Sequence, residues 1–219
     1  MNNGATIVFR PFMETPEPVH VPERLKKLRH PLFAWAGLRP IFAQHTKLEH
    51  EALQRNARGR RCIVEIGVAE GASALALREV MASDGTLYLI DPYHLSRIRW
   101  INAQSRAAKT AVSRCATAKV NWIKQFSFDA VKGWDQPIDF LFIDGDHAKD
   151  SVIRDWNEWH RFVRPGGRVA FHDARMFENG WPKEGDGPVE AVNSLFRDQR
   201  IPGWRIIEEV HSLVIVERS

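Results

Sequence analysis

At 219 residues, with 44% hydrophobic and 26% charged side chains, the chain has the composition of one soluble globular domain large enough for a continuous core. A net charge of +4 permits an acidic partner without requiring one, and no long basic stripe with interleaved aromatics points to nucleic acid. Cys62 and Cys115 make neither a disulfide framework nor a metal pair, no apolar run approaches the ~18 residues that span a bilayer, and no signal pattern opens the chain. The expectation is a cytoplasmic protein without nucleic-acid or membrane partners.

Residues 1–45 carry Pro11, Pro16, Pro18, Pro22, Pro31 and Pro40 and read as a proline-rich arm, either packed over the domain, or over the second subunit of a homodimer, or partly disordered. The remaining 46–219 read as one domain. Thr46 to Ala57 has helical character and leads into a first strand, Arg61 to Ile66. Then come Gly67-Val68-Ala69-Glu70-Gly71 and a helix, Ser73 to Met81. Two glycines at a strand-to-helix turn allow close backbone approach to a ligand, and the helix start offers free N–H groups. The spacing is not the G-x-G-x-x-G of dinucleotide sites, and Glu65 at the strand end suits a cationic or hydroxyl-rich ligand better than a pyrophosphate. A second strand, Thr86 to Asp91, ends in an acid placed to hold ribose hydroxyls.

Leu95 to Ala118 reads as a helix, Val120 to Phe126 as strand three, and Asp129 to Gly133 as a helical turn. Strand four, Asp139 to Asp144, is apolar throughout and expected to be buried on both faces. A helix from Asp150 to Phe162, a turn at Pro165-Gly166-Gly167 and strand five, Arg168 to His172, follow. Ala174 to Pro188 is long enough for a lid or substrate loop, with Trp181, and Trp204 further on, available to stack on a sugar or aromatic acceptor. Trp204 to Val210 and Leu213 to Arg218 form a closing hairpin. The alternation argues for an α/β doubly wound, mostly parallel sheet, its tail an antiparallel pair at the edge.

Glu65-Ile66-Gly67-x-x-x-Gly71-x-Ser73, Asp91, Ile143-Asp144-Gly145-Asp146-His147, Val152-x-x-Asp155-x-x-x-Trp159, Pro165-Gly166-Gly167 and His172-Asp173 together resemble the class I S-adenosylmethionine-dependent methyltransferases. The resemblance implies a Rossmann-like fold with a reversed strand seven. It implies a donor site in which Glu65, Gly67, Gly71 and Ser73 line the methionine side, Asp91 takes the ribose, and Ser127 and Phe128 border the adenine, with Asp144 both a donor-site and a catalytic residue. In the metal-assisted branch, the matching positions Asp144, His172 and Asp173 would hold a divalent cation, Mg²⁺ or Mn²⁺. The histidine departs from the all-oxygen set that Mg²⁺ prefers and leaves softer metals, substrate contact, or direct acceptor binding without metal as alternatives. His147 stands where that branch places its general base, a role that a group of pKa near 6.5 can fill. Lysine is commoner there among the catechol enzymes, so the resemblance favours a sugar or glycoside hydroxyl as acceptor. The competing readings are a nicotinamide-dependent oxidoreductase, disfavoured by the missing third glycine, and a non-catalytic donor-binding protein.

Overall fold

The computed structural model describes residues 30–93 and 102–219; most of the expected arm, and the start of the expected 95–118 helix, lie outside them. The described residues begin with a short helix α1 (Pro31–Trp35) and α2 (Lys47–Ala57). It then alternates: β1 (Cys62–Ile66), α3 (Ala72–Val80), β2 (Thr86–Ile90), α4 (Ala103–Val112), β3 (Lys119–Ile123), α5 (Ser127–Ala130), β4 (Ile138–Ile143), α6 (Lys149–Trp159) and β5 (Val163–Phe171). A helix α7 (Gly187–Val192), continued by a wider turn to Asp198, precedes the hairpin β6 (Trp204–Val210) and β7 (Leu213–Arg218).

The seven strands form one sheet in the order β3-β2-β1-β4-β5-β7-β6. The first five are mutually parallel, and β7 runs antiparallel to both β5 and β6. This is the α/β, Rossmann-like, doubly wound sheet with a reversed seventh strand that the sequence implies. Alternate side chains of β4 explain why it is central. Leu141 and Ile143 enter one apolar cluster with Trp156 and Trp159 of α6. Phe140 and Phe142 enter the other, with Leu53 of α2 and Leu77 of α3. A strand covered on both faces must be apolar on both, which is the pattern read from the sequence.

Three local expectations are corrected. Pro165-Gly166-Gly167 is not a turn: β5 runs through it, and the register of β4 against β5 shifts between Ile138 and Phe140. A β-carbon on Gly167 would stand 2.7 Å from Val163 Cγ1, so the glycine absorbs the bulge. Helix α4 stops at Val112, short of Ala118, because the Arg78 guanidinium collects the carbonyls of Val112, Thr117 and Ala118 at 2.7–3.0 Å. Trp204 is partly buried, packs edge-on against Trp156 at 4.7 Å, and lines neither cavity described below, so it is not placed as an acceptor platform. Strands β3 and β6 are the two sheet edges, and β6 carries a further register shift between Ile206 and Glu208. No helix among the described residues is long and apolar enough to cross a membrane.

Candidate functional site

The carboxyl ends of β1, β2 and β4 surround a cavity of about 420 Å³ whose lining includes Gly67, Asp91, Ser127, Phe128, Asp144 and His147. Of the expected donor residues, Glu65, Gly71 and Ser73 stand behind this lining. Glu65 is fully buried and accepts a hydrogen bond from the Ser73 hydroxyl, while its second oxygen, Oε2, has no partner. Burial pushes its pKa well up; Ser73 opposes the shift, and Asp144 and Asp91 add to it. The glycines serve chain packing. A β-carbon on Gly67 would lie 2.0 Å from the Asp144 carbonyl oxygen, and one on Gly71 3.1 Å from Ala108 Cα of α4. Both residues also have positive φ, 85° and 84°.

Asp91 follows β2 by one residue and ties the glycine turn down. Its Oδ2 accepts from the Val68 and Ala69 amides at 3.0 and 3.2 Å, and its Oδ1 from the Tyr93 amide at 2.8 Å. Tyr93 lines the same cavity, and its buried hydroxyl has no partner. Ser127 donates to Asp155 Oδ1 at 2.5 Å, and burial raises the Asp155 pKa to about 6. Phe128 is stacked on Phe126 with centroids 5.1 Å apart, and the Arg154 guanidinium lies 4.5 Å from the Phe128 centroid.

The second half of the site lies at the ends of β4 and β5. His147 Nε2 is 2.8 Å from Asp173 Oδ2, and the Trp181 indole N–H donates to Asp173 Oδ1 at 2.5 Å. The hydrogen bond from Asp173 raises the His147 pKa; partial burial opposes it, and the Asp173 and Asp144 charges reinforce it. Burial would raise the Asp173 pKa, but the His147 bond and the His172 charge outweigh it and the net shift is downward. Asp173 sits at φ 53°, a conformation costly for a non-glycine residue and held here by its contacts. A smaller cavity of about 200 Å³, lined by His147, Asp173, Trp181 and Asp186, adjoins this pair.

His172 is outside the group whose ligand atoms converge, although its Nδ1 lies 3.3 Å from Asp173 Oδ1. It is buried, with Nδ1 3.1 Å from Asp144 Oδ1 and Nε2 3.8 Å from Glu49 Oε2. Burial disfavours its charge, yet Asp144, Glu49 and Asp173 outweigh burial and hold the pKa well above the usual imidazole value. The group among the described residues able to hold a cation is Asp144, His147 and Asp173, whose ligand atoms lie within 4.8 Å of one another.

Sequence reasoning missed Glu49, Tyr93 and Gln44. Glu49 closes a capping box with Thr46 at the start of α2 and accepts from the Ser212 amide and hydroxyl at 2.7 and 2.6 Å. The T-x-x-E spacing signals the cap; nothing in it signals the reach to Ser212. Gln44 lines the larger cavity from a segment expected to belong to the arm.

Residues 64–174 match a family model described as a methyltransferase domain. An uncharacterized protein, R132, of Acanthamoeba polyphaga mimivirus is 30% identical over 140 residues, which are 62% of this chain; the chain spans 59% of that relative's length. The O-methyltransferase TomG of Streptomyces achromogenes, solved with SAM, superposes with a TM-score of 0.61 at 18% identity, over 90% of each chain. An O-methyltransferase of Bacillus cereus, solved with SAH, gives 0.60 at 18% identity, over 91% of this chain and 94% of that one. At these identities the two structures speak to the fold.

Proposed function

This chain belongs to the methyltransferase-domain family, and from that premise we propose that it is an S-adenosylmethionine-dependent O-methyltransferase acting on a small hydroxylated acceptor, a sugar or glycoside hydroxyl. The observation that carries the reading is the position of His147, which lines both cavities and is oriented by Asp173 at 2.8 Å. S-adenosylmethionine, when bound, supplies an electrophilic methyl group. The larger cavity suits it chemically: Asp91 and Asp144 face a cation, and the unpartnered Glu65 Oε2 and Tyr93 hydroxyl lie in the same acidic region. Asp91 holds the ribose, while Ser127 and Phe128 border the adenine.

The acceptor occupies the smaller cavity, where Trp181 offers an apolar face and Asp186 a hydroxyl partner. His147, donating Nε2–H to Asp173, keeps Nδ1 free to take the acceptor's proton. Orientation of two bound reactants supplies much of the remaining acceleration.

A second reading is favoured by the proximity of Asp144, His147 and Asp173. These residues fit a divalent cation, and a nitrogen among two carboxylates suits Mn²⁺, Zn²⁺ or Fe²⁺ better than Mg²⁺. His147 would then be a ligand and not the base. Transfer of labelled methyl from S-adenosylmethionine to a panel of sugars, glycosides and catechols, with and without chelator, tests both. Chelator-resistant transfer that His147→Ala abolishes, with donor affinity retained, is the expected result. Loss of transfer in chelator moves His147 to the metal. Unchanged turnover in His147→Ala removes it from the reaction.

A further inference from the structure

The segment joining α1 to α2 crosses directly over the glycine turn. Arg39, its side chain fully buried, donates through Nη1 to Glu70 Oε2 at 2.7 Å and through Nη2 to Glu70 Oε1 at 2.6 Å. Nη1 also donates to the Pro40 carbonyl at 2.7 Å, and the guanidinium lies 3.8 Å from the centre of the Phe42 ring. The Phe42 amide donates to Glu70 Oε2 at 3.1 Å. Glu70 is the residue before Gly71, so the segment is fastened to the turn that Asp91 holds from the other side. Two residues beyond Phe42, Gln44 enters the lining of the larger cavity. The segment's far end is fixed by the capping box of α2.

A dry ion pair is a weak source of net stability, because desolvation of both partners consumes most of the attraction. A bidentate arginine–carboxylate pair does fix position closely. Here the position fixed is that of a wall of the cavity.

We infer that Arg39 and Glu70 are positioning residues for the methyl donor, latching residues 40–45 across the glycine turn so that Gln44 contacts the bound donor. The inference rests on the function proposed above. It assigns donor affinity to a part of the chain that lies ahead of residues 64–174, the stretch matched by the family model.

The test uses the full chain and the double variant Arg39→Met/Glu70→Leu, which removes both members of the pair together. Affinity for S-adenosylmethionine and S-adenosylhomocysteine is measured by calorimetry, and amide exchange of residues 40–45 and 67–71 is followed without ligand. The expected result is a folded variant with exchange in both stretches accelerated about tenfold or more. Donor affinity should weaken about tenfold. Gln44→Ala should weaken donor binding while leaving exchange at parental rates, which a merely structural role for the segment would not produce. Should the double variant fail to fold, Arg39→Lys, which keeps the charge and loses the fork, carries the same comparison. Parental exchange together with parental affinity overturns the latch. Accelerated exchange in a protein whose parent binds neither compound keeps the latch and sinks the proposed function. Parental exchange in a donor-binding protein does the reverse.

Discussion

Asp155 is 3% exposed, and the fold holds its carboxyl near a pKa of about 6 because burial outweighs the Ser127 hydrogen bond and the Arg154 charge. The folded state therefore binds a proton more tightly than the unfolded chain, whose aspartate titrates near 3.8. Stability contributed by the neutral form is complete below about pH 4 and is lost as pH rises through about 6. Asp155→Asn removes this slope and should stabilise the protein at pH 7 by about 2 kcal/mol. Urea unfolding of parent and variant at pH 4 and pH 7 measures it; a difference that does not grow with pH contradicts the assignment. Asp155 was legible as part of a motif, whereas its burial against Ser127 was not, because a pKa depends on neighbours brought in by other elements. His172 shows the same limit. Its place beside Asp173 was legible, but Glu49, which with Asp144 and Asp173 holds its pKa up, lies 123 positions away.

Glu49 makes α2 more than a packing helix. One oxygen accepts from the Thr46 amide and the other from the Ser212 amide and hydroxyl, joining the start of α2 to the β6–β7 turn. Burial opposes its charge, but His172, Ser212 and Thr46 outweigh burial and lower the pKa from 4.5 to about 2. Its stabilisation is thus fully present above pH 4.5 and fades as pH falls toward 2. Glu49→Gln should cost about 3 kcal/mol at neutral pH, in keeping with a broken buried pair. Chemical unfolding at pH 7 and at pH 3 reads the loss and its contraction. The strands were legible from apolar runs because most are covered on both faces. Their acids Asp91, Asp144 and Asp173 fall just beyond the strand ends, where parallel sheets gather ligands. Helix α7 escaped notice although Asp186 precedes it and Pro188 stands in its first turn, since the polar stretch before it reads as one long loop. The bulge at Pro165-Gly166-Gly167 was read as a turn because the same residues serve both, and only the register against β4 separates them.

On the scale of the whole molecule, the described part of the proline-rich arm packs against the rest of the chain. Ala34, Arg39 and His45 are buried, and Gln44 borders the larger cavity. Removing residues 1–45 should therefore lower the Tm by about 5–10 °C, the shift expected when a domain of this size loses a few kcal/mol. It should also weaken donor binding; scanning calorimetry with donor titration checks both, and an unchanged melt would restore the arm as an accessory.

The outer strands also bear on how copies of the chain meet. An open sheet ends in rows of unpaired backbone groups, which invite another sheet to continue it. Here β6 presents Arg205, Glu208 and Glu209 and is bent by its register shift, while β3 carries Lys119 and Asn121. Charge at both borders, and curvature at β6, make them poor templates for strand addition. Self-association by extending the sheet, whether into an ordered dimer or a fibrous aggregate, is disfavoured by construction.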